Sequence, residues 1–169
     1  MGLRQQLHPY TDENGKTYMP AACHTMSNEN KTNFLQVLKD VRVLNGYASN
    51  ISRCVRERNL VGLKSHDHHI LMQQLLPIAL RGNLPNNVVG PIVELSIFFR
   101  GICSTTLTQE DMDQLERNVI ITLYKMEQIF SPGFFTSMVH VVIHLIHECR
   151  LGGPIQYRWM YPFERYYVC

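Results

Sequence analysis

The chain has 169 residues, of which 45% are hydrophobic and 18% are charged, and its formal net charge at pH 7 is +2. This length is sufficient for one domain with a buried core, and the composition is that of a globular rather than a disordered protein. The nearly neutral charge excludes a strongly basic protein that wraps nucleic acid, although it leaves room for a local basic patch.

The cysteines indicate a reducing compartment. Their number is odd, their spacings are wide, and no C-x-x-C motif occurs, so we expect free thiols and not a disulfide framework. The first residues contain no apolar stretch typical of a secretory signal, and no apolar run reaches the ~18 residues of a membrane span. The sequence therefore predicts an intracellular protein without a membrane segment. The five cysteines are Cys23, Cys54, Cys103, Cys149 and Cys169.

The N-terminal part of the chain is polar and then becomes helical. Residues 1–26 are rich in turn formers, and Asn14-Gly15 favours a small hairpin. Ser27 is the predicted N-cap of a first helix, which Asn45-Gly46 would end. Residues 47–64 are interpreted as a connector with a high content of basic residues.

Helical signals continue to the C-terminal end. Ser65 is the predicted cap of a second helix, which Pro77 should kink, and Pro91 is the predicted first residue of a third. Thr108 and Asp111 form a capping box at the start of the next helix. Two more helical stretches follow, at about 134–151 and in the aromatic segment 156–168. The fold class is therefore all-α, an irregular bundle of five to seven helices, with a loop-rich region 1–26 and a helical domain 27–169.

Two histidines four residues apart are the first candidate for a chemical site. His140 and His144 lie in a predicted apolar helix, where residues at i and i+4 share one face. Two imidazoles at this spacing can reach one zinc ion, but a structural zinc site needs four ligands. The alternative is that these histidines face solvent or satisfy backbone carbonyls.

Three further groups have both a structural and a functional interpretation. His66, Asp67 and His69 are either metal ligands or a neutral polar cluster around a helix cap. The aromatic C-terminal segment carries two arginines, which either stack with nucleic acid or pack on the ring faces of their neighbours. The carboxylate between the arginines is either their ion-pair partner or one ligand of a catalytic metal. The arginines are Arg158 and Arg165, and the carboxylate is Glu164.

Several strings of the sequence resemble one family. They are LHP at 7–9, PAAC at 20–23, GYASNISR at 46–53, LKSHDHHILMQQLLPIALRG at 63–82 and WMYPFERY at 159–166. In this order they are similar to the domain of unknown function that follows the transposase core of plant CACTA (En/Spm-type) elements. The resemblance runs from about residue 3 to residue 166.

The resemblance implies a role in a metal-dependent DNA enzyme. Transposases of this kind resemble other DDE enzymes, in which two aspartates and one glutamate hold two Mg²⁺ ions for strand cleavage and transfer. A helical insertion before the glutamate carries an upstream C-x-x-C and a downstream histidine pair that bind structural zinc. By this resemblance His140 and His144 correspond to the histidine pair and Glu164 to the final acid.

The chain departs from that pattern because it has no C-x-x-C and no segment with the two catalytic aspartates. The resemblance therefore implies a truncated transposase-derived domain, nuclear if it functions, whose partners are DNA or the missing core. Because one glutamate cannot hold two Mg²⁺ ions, we expect no catalysis by the chain alone.

Two alternatives to this function stay open. The first is a protein-interaction module that docks a partner through Trp159, Tyr161 and Phe163. The second is non-specific DNA binding through the basic residues of the connector, with an affinity that falls steeply with salt. These basic residues are Arg53, Arg56, Arg58 and Lys64.

Overall fold

The computed structural model describes residues 8–41 and 51–158, and within these ranges the chain is predominantly helical. The predicted all-α class is confirmed, with five helices and two short hairpins in the described part. The helices are α1 (Asn28–Asp40), α2 (the consecutive segments Ser65–Ile70, Leu71–Leu75 and Leu76–Ala79), α3 (Asn86–Ile102), α4 (Gln109–Glu127) and α5 (Ser137–Gly152). Over the described ranges, none of these helices combines the length and the apolar character that crossing a membrane requires.

The predicted N-terminal hairpin is present. Strands β1 (Tyr10–Thr11) and β2 (Thr17–Tyr18) pair antiparallel. The Asp12 carboxylate accepts the backbone N–H groups of Asn14 at 2.7 Å and Lys16 at 3.2 Å. Gly15 has a φ of 75°, a conformation that glycine adopts without steric cost. The local turn chemistry therefore determines this hairpin.

Helix α1 begins as the sequence predicts. The Ser27 hydroxyl accepts the backbone N–H of Asn30 at 3.1 Å, and Leu35 and Leu38 are buried. In the structure α1 ends at Asp40. The predicted stop at Asn45-Gly46 lies outside the described residues.

The predicted connector contains a second hairpin that the sequence analysis missed. A 3₁₀ turn at Ile51–Cys54 leads into strands β3 (Val55–Arg56) and β4 (Asn59–Leu60), which pair antiparallel. Val55 and Leu60 face each other and pack against a cluster of buried residues from α1, the 3₁₀ turn and α2. Partial burial of these two side chains accounts for the pairing of such short strands.

Helix α2 differs from the prediction at its start. Ser65 is the first helical residue and Lys64 the N-cap, so the predicted cap at Ser65 is wrong by one residue. Within α2 the segment Leu71–Leu75 is a π-helix that directly precedes Pro77. A proline has no N–H to donate and its ring crowds the preceding turn, so a wider π-turn at this point accommodates it.

The predicted start of α3 at Pro91 is wrong. The helix begins at Asn86, directly after Pro85, and Pro91 lies inside it. A proline disfavours the helical conformation of the residue before it because its ring clashes with that residue's Cβ. Here that residue is Gly90, which has no Cβ, so this part of the steric cost of Pro91 is absent.

Two groups of buried side chains hold the helices together. The N-terminal cluster consists of Leu38, Ile51, Ile70, Leu75 and Ala79. The C-terminal cluster consists of Phe98, Ile102, Val119, Leu123, Met126, Val142, Ile146 and Cys149, from α3, α4 and α5.

Helix α4 begins at the predicted capping box, in which the Thr108 hydroxyl accepts the Asp111 N–H at 3.1 Å and the Asp111 carboxylate accepts the Thr108 N–H at 3.1 Å. The division into regions 1–26 and 27–169 stays a prediction.

Candidate functional site

Helix α5 presents a histidine pair on its solvent face. Its opposite face buries Val142, Ile146 and Cys149 in the C-terminal cluster, and this fixes the rotation of the helix. His140 and His144 are exposed, and their Nε2 atoms lie 3.3 Å apart. The imidazole planes are inclined at 73°. The i, i+4 spacing has therefore brought two ring nitrogens to one point in front of the helix.

The separation of these nitrogens fits a zinc chelate. Two nitrogen ligands at 2.0–2.1 Å from a tetrahedral zinc ion lie about 3.3–3.4 Å from each other. The same separation fits a hydrogen bond between two neutral imidazoles, in which one Nε2 carries the proton. Among residues 8–41 and 51–158, no three His, Cys, Asp or Glu side chains group closely enough to hold a metal. The pair alone thus supplies half of a structural zinc site.

The C-terminal candidates are described only up to Arg158. Its guanidinium donates to the backbone carbonyl of Glu148 at 2.9 Å and lies so close to Gly152 that an added Cβ would be 2.5 Å from it. Arg158 therefore caps the last carbonyls of α5, and a contact with nucleic acid stays a prediction. Glu164, Arg165 and the aromatic residues Trp159, Tyr161 and Phe163 lie outside the described residues.

The group at the start of α2 surrounds a buried carboxylate. Asp67 is 1% exposed and accepts the backbone N–H of Lys64 at 2.9 Å, so it satisfies one of the free donors of the helix. Burial, followed by the nearby His66 and His68, lowers the pKa of His69 and favours its neutral form. A neutral imidazole is required both for binding a metal and for partial burial beside a helix cap, so the neutral form does not distinguish the two interpretations. The metal interpretation of His66, Asp67 and His69 stays a prediction.

The basic residues of the connector lie on and beside the second hairpin. Arg56 is the last residue of β3, Arg58 follows in the loop, and Arg53 and Lys64 lie just before and after the hairpin. All four side chains are exposed. The sequence predicted their basic character but not the hairpin on and beside which they lie.

Sequence reasoning also missed a cavity between α3 and α4. It has a volume of about 300 Å³ and is lined by Ile97, Ile121 and other residues of both helices. At its polar end, Glu94 accepts from the Lys125 ammonium at 2.6 Å and from the Thr122 hydroxyl at 2.9 Å. The spacing of residues at i, i+3 and i+4 shows which side chains of α3 share a face and which side chains of α4 do. It does not show that the two faces lie opposite each other.

Cys149 of the C-terminal cluster and Cys103, which packs against this cluster, are poor nucleophiles. Burial, together with the nearby Cys149, raises the pKa of the Cys103 thiol to about 11. Burial likewise raises the pKa of Cys149. Because the thiolate is the reactive form, neither cysteine is suited to nucleophilic catalysis at neutral pH.

Comparison with known families gives one match, which covers the C-terminal part of the chain. Residues 102–169 match the model of a family described as a domain of unknown function (DUF4218). The matched segment begins at the last residue of α3 and contains α4, α5 and the histidine pair. Comparisons with curated proteins and with solved structures gave no significant match. The resemblance described above is therefore shown only as similarity to a domain of unknown function.

Proposed function

We propose that this chain is a helical domain derived from a CACTA-type DNA transposase and that His140 and His144 are two of the four ligands of a structural zinc ion. The other two ligands belong to the C-x-x-C segment that this chain lacks. Zinc in such a site carries no chemistry and fixes the helical domain against the rest of the enzyme. The domain then acts in the nucleus, on or beside DNA.

The observation that carries the proposal is the 3.3 Å separation of the two exposed imidazole nitrogens. Most surface histidines have no reason to converge, whereas these two have the spacing that tetrahedral zinc requires. Both lie inside the segment that matches the domain of unknown function. The resemblance to the transposase-associated domain supplies the rest of the argument.

The chain length is compatible with the predicted role of Glu164. The Arg158 guanidinium lies beside Gly152, which is eight residues from His144, or about 12 Å along the helix axis. Glu164 is six positions after Arg158, and an extended chain over six positions spans at most about 20 Å. A carboxylate at this position is thus within reach of the histidine pair in an intact enzyme, although one glutamate cannot hold two Mg²⁺ ions.

Metal titration of the purified full chain tests the histidine pair. We expect one bound Co²⁺ or Zn²⁺ per chain, held more weakly than in a four-ligand site, and at least tenfold weaker binding by His140→Ala and by His144→Ala. His147→Ala is the matched control, since it is exposed on the same helix. Equal affinities for all four proteins would contradict the proposed zinc site.

A nicking assay tests the expected lack of catalysis. The full chain is incubated with supercoiled plasmid and Mg²⁺, and no conversion to the open circle is expected. Cleavage by the chain that Glu164→Ala abolishes would overturn this part of the proposal.

A second candidate function is a protein-interaction module. Leu151 and Tyr157 are 72% and 71% exposed where the described chain ends, so the C-terminal aromatic segment begins beside apolar surface. Trp159 is the chain's single tryptophan, and its fluorescence therefore reports on this segment alone. Red-shifted emission that acrylamide quenches readily would favour the docking function, whereas blue-shifted, protected emission would favour packing onto the helices.

A further inference from the structure

The second hairpin carries a concentrated positive surface. We define the basic hairpin surface as the exposed side chains of Arg53, Arg56, Arg58 and Lys64. Residues 53–64 contain these four basic residues and one acidic residue, so this short segment holds more net positive charge than the whole chain, which has +2. The chain is therefore nearly neutral overall but locally basic in this segment.

The hairpin is anchored from its apolar side. Val55 and Leu60 are paired across the strands and pack against the N-terminal cluster. The Cys54 carbonyl accepts the Val61 N–H at 2.8 Å, which extends the pairing beyond the two strands. Arg56 and Asn59 form the next pair and are both exposed. The arginines are thus presented by a backbone that core packing holds in place.

The cations of this surface have no carboxylate partner among the described residues. Among the described residues, the ion pairs join Lys125 to Glu94, and Arg150 to Asp113 and Glu116. None of them involves the basic hairpin surface. Arginines that are exposed and not neutralised by a neighbouring carboxylate remain available to an external anion.

The hairpin tip has a backbone feature that the sequence does not favour. Glu57 and Arg58 form a two-residue loop, and Glu57 has a φ of 48°. Tight hairpin loops of this length usually place glycine, asparagine or aspartate at positive φ. A non-glycine residue in this region carries steric strain, and strained residues cluster at functional sites. The tip thus keeps charged residues where a relaxed turn would use small ones.

We propose that the basic hairpin surface binds the sugar–phosphate backbone of nucleic acid without reading its base sequence. Residues 53–64 contain no aromatic side chain for base stacking, so phosphate is the group that they can recognise. Membrane-surface segments combine basic residues with several apolar anchors, whereas Val61 is the only exposed apolar side chain of this segment. This proposal rests on the proposed function in one respect, the expectation that the chain acts on or beside DNA. It does not involve His140 or His144.

Salt-dependent binding of a labelled DNA duplex to the full chain tests this proposal. Four phosphate contacts predict a slope of log K against log salt of about −3.6, or about a hundredfold loss of affinity between 50 and 200 mM salt. The double variant Arg56→Gln/Arg58→Gln removes two contacts, so we expect a slope of about −1.8 and only about a tenfold loss. Double-stranded RNA is titrated alongside, and preference for it would identify RNA as the form of nucleic acid bound.

The matched control carries the same change in net charge elsewhere. Arg81 and Arg117 are exposed in the turn after α2 and on α4. The variant Arg81→Gln/Arg117→Gln should keep the slope of the unmodified chain. In Glu57→Gln, loss of the only carboxylate of the hairpin should tighten binding severalfold. Circular dichroism of every variant establishes that the helices are intact.

Three results would overturn the proposal. A flat salt response would exclude a phosphate contact, and an equal loss of slope in the control variant would show that only diffuse charge acts. Tighter binding to phosphatidylserine vesicles than to either nucleic acid would assign the surface to a membrane. A failed zinc titration would not affect the DNA-binding test. His140 and His144 lie on α5, far from the hairpin in sequence, and they do not belong to the cluster that anchors it.

Discussion

The two hydrophobic clusters support two different kinds of surface. The C-terminal cluster is formed by three long helices, α3, α4 and α5, and the last of them presents a histidine pair whose i, i+4 spacing places both imidazoles on one face. The N-terminal cluster is covered by α1, the second hairpin and α2. Regular structure is interrupted here by the π-turn of α2 and by Glu57, the residue at positive φ in the hairpin loop. The family match begins at residue 102 and so covers mainly the first of these regions.

This difference shows how each surface obtains its precision. A chelating pair needs two side chains on one rigid face, and a packed regular helix provides that face. A phosphate-binding surface needs charge that projects from the fold, and a short hairpin anchored by two apolar side chains provides that. The regular backbone of α5 thus suits the proposed zinc ion, and the irregular backbone of the second hairpin suits the proposed phosphate ligand.

Truncation of one core residue in each cluster gives the largest expected effect. Leu38 and Ile146 are both fully buried. Leu38→Ala and Ile146→Ala should each lower the free energy of unfolding by about 2–5 kcal/mol because each leaves a cavity. Urea denaturation measures both losses. If the two clusters are energetically separate, the double variant should be additive within about 0.5 kcal/mol, and a larger coupling would show that they form one core.

Removal of the buried carboxylate of α2 should have the next largest effect. Asp67→Ala leaves the Lys64 N–H without its acceptor, and we expect a loss of about 1–2 kcal/mol in the free energy of unfolding. His68→Ala, an exposed substitution on the same helix, is the control and should change stability by less than about 0.5 kcal/mol. Thermal and urea unfolding measure the difference. Equal effects of the two variants would contradict the capping role of Asp67.

The capping box of α4 should show a smaller effect that depends on pH. Thr108→Ala removes the hydroxyl that accepts the Asp111 N–H and should cost about 1 kcal/mol. Hydrogen bonds from the Thr108 side chain and backbone lower the pKa of Asp111 in the folded state. The carboxylate therefore stabilises the fold above its unfolded-state pKa, and this stabilisation disappears as the pH falls through the lower, folded-state pKa.

The measurement for this prediction is the stability difference between the unmodified chain and Asp111→Asn across pH. The difference should be constant near neutrality and shrink below pH about 4, where the carboxylate takes up a proton. A difference that stayed constant down to pH 2 would show that the charge of Asp111 contributes nothing.

Local sequence signals were sufficient where a feature depends on neighbouring residues. The N-terminal hairpin, the Ser27 cap and the Thr108 capping box each follow from hydrogen bonds over a few residues. The convergence of His140 and His144 follows from i, i+4 spacing once the helix is correctly predicted. These features need no knowledge of how distant segments pack.

Features that depend on distant contacts could not be predicted. Residues 53–60 contain no hairpin dipeptide such as Asn-Gly, and the pairing of Val55 with Leu60 depends on burial against α1 and α2. The propensity of Pro91 to start a helix was overridden: the helix begins at Asn86, and Gly90 removes one of the clashes that Pro91 would otherwise make. The cavity between α3 and α4 likewise depends on how two helix faces meet, which no spacing within either helix specifies.

Substitution at the hairpin tip gives the smallest expected effect and separates strain from charge. Asparagine tolerates positive φ better than glutamate, so Glu57→Asn should raise the free energy of unfolding by about 0.5–1 kcal/mol. Glu57→Gln keeps the strained geometry and removes only the charge, so it should leave the strain in place. If both variants bind DNA more tightly to the same degree, charge alone governs binding. Tighter binding by Glu57→Gln than by Glu57→Asn would instead show that the strained backbone positions the neighbouring arginines for phosphate, and this would tie the irregular backbone of this region directly to its proposed ligand.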